Sequence, residues 1–239
     1  MDDQDLSVAP PTPEHLLSMS RAVLACDITD LPATPVTQLA LGWLRAAHDQ
    51  MGAIADLILA GRVSATAPNA RSFSELAIRL IWLHEVEDRS TVMPALVAHE
   101  RNLEERHINH SEAMGVLVEM DEDLKNLELA DLGTIDTSLT SQARAVVDAA
   151  KAATHAGGIY QLWQHSTQFT HATTQLAIDW ASVSDARTFI ESVPARDWTA
   201  AVHLTSILMC TFIGQILKDE GATIDQATRF MVASIEGLS

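Results

Sequence analysis

Three places in this chain carry side chains whose type and spacing suit chemistry. Arg71, Glu75 and Arg79 recur at i, i+4 intervals, so a helix would line them along one stripe with Glu75 able to bridge both arginines. The run from Ile159 to Trp180 holds Tyr160, His165, Ser166, Gln168, His171 and Thr174 among few charges. A buried polar group left unpaired costs about 1–3 kcal/mol, so these groups are expected to bond to facing helices, trapped water or a ligand. Glu75 beside His171 or Tyr160 in a polar pocket would form a usable acid/base pair. The same groups also suit a satisfied network that only fixes helix register. Arg71, Glu75, Tyr160 and His171 are therefore candidate binding residues under the first reading and structural residues under the second.

The third place is Arg101-Asn-Leu-Glu-Glu-Arg-His107. Glu104 and His107 form a Glu-x-x-His, and His107 shares a helix face with His110. A di-iron bundle needs that motif on two helices, and no second copy exists here. Zinc on His99, His107 and His110 would require a convergence that spacing alone does not supply. Neither a metal nor a cofactor is expected. The chain lacks a Gly-x-Ser-x-Gly elbow, a phosphate-cradling glycine loop and a dinucleotide fingerprint.

The elements that must position these residues read as helices. Val36, Leu39, Trp43, Leu44, Ala47, Met51, Ile54, Leu57 and Ile58 make one apolar stripe, begun by Thr34-Pro35 and ended by Gly61. Similar signals predict helices near 13–27, 70–88, 91–114, 116–130 and 137–154, the last capped by Thr137 or Ser138. Gly157-Gly158 breaks the chain before a helix at 159–182. Ser184 caps a short helix ending near Pro194, and two more span 197–219 and 224–237. Strand signals are nearly absent. The expected fold is all-α: an antiparallel helical bundle with additional packed helices, about ten in all, and no internal repeat. Residues 1–12 are acidic and proline-rich and are expected to form a disordered leader, with 13–239 a single helical domain. That leader lacks the basic and apolar regions of a targeting sequence.

Composition narrows the function. Hydrophobic residues make up 47% of the 239, enough for a sizeable core without staples. Cys26 and Cys210 lie far apart and are expected to be buried, inert thiols of a reducing compartment, which points to the cytoplasm. Net charge is −17, with 32 acidic and 15 basic side chains. Such a surface repels phosphate backbones and anionic lipids, and only three lysines are present, so no run of basic residues offsets it. Nucleic acid and membrane are both disfavoured as partners.

Two stretches, Ala152–Ile178 and Trp198–Leu217, contain no Asp, Glu, Lys or Arg, and both are expected to be central helices. The second has the length of a membrane span, but its Thr, Ser, His and Gln residues fit a buried bundle helix better. The opposite holds at 100–131, where ten acidic residues predict a solvated helical hairpin.

Two resemblances add to this reading. Asn69 to Glu75, followed by an apolar stretch ending Ile81-Trp82-Leu83, resembles uncharacterised bacterial helical families with an Arg-x-x-x-Glu helix leading into Trp-Leu. A later helix there carries Tyr, Ser and His, places that Tyr160, Ser166 and His171 would fill. That resemblance implies a helical domain linked to bacterial defence or regulation. The Arg101-to-His107 spacing, with a polar residue after the arginine, is similar to the motif of HEPN ribonucleases. The resemblance implies a metal-independent cleavage across a dimer, with His107 as acid/base and Arg101 stabilising phosphate. The leading expectation is a non-catalytic binding or interaction module with an unidentified protein or small-molecule partner. The alternative is the HEPN-type ribonuclease. A homodimer sharing long apolar helices fits either one.

Overall fold

The computed structural model describes residues 10–117, 119, 136–171, 173–180, 182–184, 187–189 and 197–237. Among them are ten α-helices: α1 (Pro13–Leu24), α2 (Pro35–Leu59), α3 (Ala67–Glu85), α4 (Val92–Ala113), α5 (Thr137–Arg144), α6 (Val146–Ala152), α7 (Gly157–Thr170), α8 (Thr174–Trp180), α9 (Thr199–Asp219) and α10 (Ile224–Glu236). The fold is all-α, as the periodicity predicts. The helix expected at 116–130 and most of the leader at 1–12 lie outside the described residues.

Local chemistry explains where the helices begin and stop. The Thr34 hydroxyl accepts the Thr37 N–H at 3.1 Å and Pro35 takes the first helical position, so α2 starts as expected. Gly61 stops it in the left-handed region at φ +71°. Thr223 and Gln226 close a reciprocal capping box at the start of α10.

Four boundaries depart from the sequence reading. The cap of α5 is Asp136, whose carboxylate accepts the Ser138 N–H at 3.2 Å, not Thr137 or Ser138. The single helix expected to about 154 is broken at Ala145, which is extended at φ −124°, ψ 123°. Ser141 donates to Asp148 across that break at 2.6 Å, holding α5 and α6 together. The helix expected at 159–182 starts two residues early, at Gly157, and stops at Thr170. There the Thr173 hydroxyl donates to the Gln168 carbonyl and accepts the Leu176 N–H, ending one helix and capping the next. Where a short helix was expected after Ser184, Ser182–Ser184 and Arg187–Phe189 instead pair as a small antiparallel hairpin, Val183 opposite Thr188. Its β-branched residues suit a strand better than a helix.

One apolar cluster draws on every helix except α8. At its centre lies α3, which buries Phe73, Ala77, Ile78, Leu80, Ile81, Trp82 and Leu83 and packs against α2, α6, α7 and α9. Helix α9 is also central, as its lack of charge predicts, and buries ten side chains including Met209, Phe212, Ile213 and Ile216. It is the one described helix long and apolar enough to cross a membrane, and half of its most apolar window is buried in this protein. Helix α7 corrects the other expectation. Only Ile159, Leu162 and Ser166 are buried, on one stripe against α3, while Gln161, Gln164, His165 and Gln168 are exposed. Amide, hydroxyl and imidazole groups hydrate a surface without formal charge, so absence of charge did not mean burial.

Candidate functional site

Helix α4 packs against α2 and α5 rather than along α3. The gap between α3 and α4 is a cleft of about 690 Å³, within the size range of small-molecule sites. Leu39 and Trp43 of α2, Leu76 of α3, Leu96 of α4 and Val146 at the start of α6 give it apolar walls. Glu75 and Arg79 from α3, His99 and Glu100 from α4, and Arg144 from α5 supply its charge and hydrogen bonding. Ser72 and the half-exposed Leu103 stand at its mouth.

Arg79 is the best-held of these groups. Its Nη1 donates to the Gln142 carbonyl at 2.6 Å, and the guanidinium lies 5.6 Å from the Trp82 ring centroid. The Gln142 side chain accepts the Trp82 indole N–H at 2.7 Å, so one residue of α5 fixes both the arginine and the ring beneath it. Burial lowers the Arg79 pKa, with Glu75 opposing the shift, and the group stays charged at neutral pH. Its fork has donors beyond the one given to Gln142. Arg144 is exposed at the end of α5.

His99 reports the local field. Its pKa is lowered first by burial, then by Arg79, with Arg144 and Arg106 adding to the shift and Glu100 opposing it. Three arginines from three helices thus act on one histidine, with Glu100 opposing them. His99 is neutral at pH 7.

The structure gathers three of the four expected binding residues. Trp163 of α7 is their meeting point: Tyr160 stacks on it at 5.6 Å and 15°, and Arg71 lies 5.6 Å from its centroid. The Trp163 indole N–H points to Glu75 at 3.4 Å, so Glu75 joins this aromatic cluster to the cleft. The Arg71 Nε is buried with no hydrogen-bond partner among the described residues. His171 does not join them; it sits exposed and extended just past the end of α7. The expected pairing of Glu75 with His171 therefore has no counterpart in the geometry, because α7 ends before it can carry His171 along α3.

Arg101 and His107 both lie on α4, the first half-buried and the second exposed. Six residues apart on one helix, they project about 120° away from one another. Within one chain, that separation keeps them from converging on a common phosphate. No group of three or more His, Cys, Asp or Glu side chains among the described residues is placed to hold a metal ion.

A second polar group, one the sequence reading missed, lies in the core. His48 is fully buried between α1, α2 and α9. Its Nδ1 lies 2.9 Å from the Leu44 carbonyl and its Nε2 2.8 Å from the Ser206 hydroxyl, so the Nδ1–H donates and Nε2 accepts. Ser20 donates to the His48 carbonyl at 2.5 Å, and the Cys210 sulfur lies 3.9 Å from Nε2. Burial takes the His48 pKa down to about 4 against the pull of the Leu44 carbonyl, and takes the Cys210 thiol up to about 12. A serine, a histidine and a cysteine in contact suggest nucleophilic chemistry, but all three are sealed from solvent. The group is structural.

In the sequence, the signal that could have found the aromatic cluster was Trp163, an indole three residues after Tyr160 in a run of hydrogen-bonding residues. Nothing in the sequence pointed to Arg144 facing Arg79. No family model, curated protein or solved structure matches this chain.

Proposed function

We propose that the protein is a non-catalytic binding module whose α3–α4 cleft takes a small molecule. One observation carries this reading: a cleft of about 690 Å³ that combines apolar walls with the anchored Arg79 and the neutral His99. Apolar surface supplies affinity, and a few fixed polar groups supply orientation. Among the described residues the Ser72 hydroxyl, the one hydroxyl in the cleft lining, is hydrogen-bonded to neither Glu75 nor His99, which favours binding over turnover. A role in bacterial defence or regulation is compatible with a sensor of this kind.

The test is a ligand-observed NMR screen of chemically diverse small molecules, repeated on Ser72→Trp. Ser72 is exposed at the mouth, so the larger ring should fill the cleft without disturbing the core. Hits on the native protein that vanish on Ser72→Trp are the expected result. An empty screen, or hits indifferent to the substitution, would overturn the reading. Incubation with structured and single-stranded RNA is expected to leave the RNA intact. Cleavage that disappears with His107→Ala would replace this reading with the HEPN-type ribonuclease.

A further inference from the structure

Resting on that reading, we infer that the ligand is a monocarboxylate with an apolar body, its carboxylate held by Arg79 and Arg144 and its body lying on Trp43, Leu76 and Leu96. Charge complementarity selects the head group. Two guanidinium groups face the cleft, Arg79 from α3 and Arg144 from α5, and a guanidinium fork binds a carboxylate with two parallel hydrogen bonds. Arg79 is already immobilised by Gln142 and Trp82, so little side-chain freedom is lost when it engages a ligand.

The acidic neighbours set the charge of that head. Glu75 and Glu100 also line the cleft, and His99 adds no charge at pH 7. The two cations and two anions balance, so position sets the head: among the described residues neither arginine is ion-paired, whereas Glu75 already accepts from the Trp163 indole. A dianionic phosphate would meet stronger repulsion from both carboxylates. A cationic head would face Arg79 and Arg144 across the same space. The body is selected by the walls, where an indole and two leucines are opposed across the gap between α2, α3 and α4. An apolar chain lying along these walls would be largely removed from water.

The experiment is calorimetric titration of the full chain with decanoate, decyl phosphate, decyltrimethylammonium and acetate, each kept below its critical micelle concentration. Decanoate is expected to bind at least tenfold more tightly than the other three. Arg144→Gln should weaken decanoate at least fivefold and leave the cation unchanged, and Arg144→Glu should invert the preference between them. Arg144 is exposed, so neither substitution threatens folding. Equal binding of anion and cation, both lost on Ser72→Trp, would sink the carboxylate assignment while leaving the cleft a binding site. Tighter binding of decyl phosphate would also overturn it, in favour of a phosphate ligand. Decanoate binding that ignores Arg144→Gln counts against it in the same way. If none of the four binds, the carboxylate inference fails, and the library screen decides separately whether the cleft binds anything.

Discussion

His48 and His99 are both held neutral by burial, yet they sit in opposite kinds of environment. Both ring nitrogens of His48 have hydrogen-bond partners, and no solvent reaches it. His99 is half-exposed, makes no hydrogen bond to the described residues, and feels three arginines from the wall of an open cleft. The His48 group satisfies its polar atoms internally and gains a fixed register between α1, α2 and α9. At the cleft, polar groups are left facing outward, where a ligand can use them. Polarity inside a helical protein is a sign of function only where its hydrogen-bonding capacity is unspent.

The sharpest way to break this contrast is to empty the core site. His48→Ala removes a fully buried ring and leaves the Ser206 hydroxyl short of a partner, so unfolding free energy should fall by about 3–4 kcal/mol. Urea denaturation measures it. A loss below about 1 kcal/mol would mean that the core repacks freely and that the network fixes nothing.

Acid should act on the same group. The folded pKa of His48, about 4, lies below its unfolded value near 6.5. Between those values the unfolded chain binds more protons, so stability is complete above pH 6.5 and falls as the pH drops towards 4. The loss is about 3 kcal/mol at most, and Tm measured against pH should show it. His48→Gln should flatten that segment of the curve, and His99→Gln, whose folded pKa is lowered in the same direction, should flatten it less.

Close packing around the core gives a smaller effect. A Cβ at Gly214 would lie 2.6 Å from the Ala227 carbonyl oxygen, where α9 crosses α10. Gly214→Ala must push the helices apart and is expected to cost about 2 kcal/mol in chemical denaturation. The cleft side predicts the smallest change of all. Arg144→Gln should alter stability by less than about 0.5 kcal/mol while weakening ligand binding, the signature of a group kept for recognition. A large stability loss on that substitution would erase the distinction between the two regions.

How much of this could be read in advance depended on how local the cause was. The start of α2 was legible because Thr34, Pro35 and Gly61 act within one turn of the residues they control. The centrality of α9 was legible too, since a long helix without formal charge and with few polar groups belongs inside. The break at Ala145 was not, because alanine favours helix and the bridge between Ser141 and Asp148 forms only once the chain has turned. Helix α7 was placed too deep because uncharged polar residues suit either a satisfied interior or a hydrated surface. Glu75 and Tyr160 both meet Trp163, whereas His171 was carried along by an assumed helix that ends one residue earlier.

Most helices, their apolar faces and the acidic surface follow from residue type at a spacing of three or four. Packing alone set α4 apart from α3 and brought Arg79, Arg144 and Arg106 to bear on His99. Helix packing is set by how side chains of distant segments interlock, and no local pattern encodes the angle or the gap that results. The same holds for His48, whose neighbours Ser20, Ser206 and Cys210 come from both ends of the chain. Local spacing fixes what each helix can offer; packing fixes whether the offer is spent in the core or kept open to solvent.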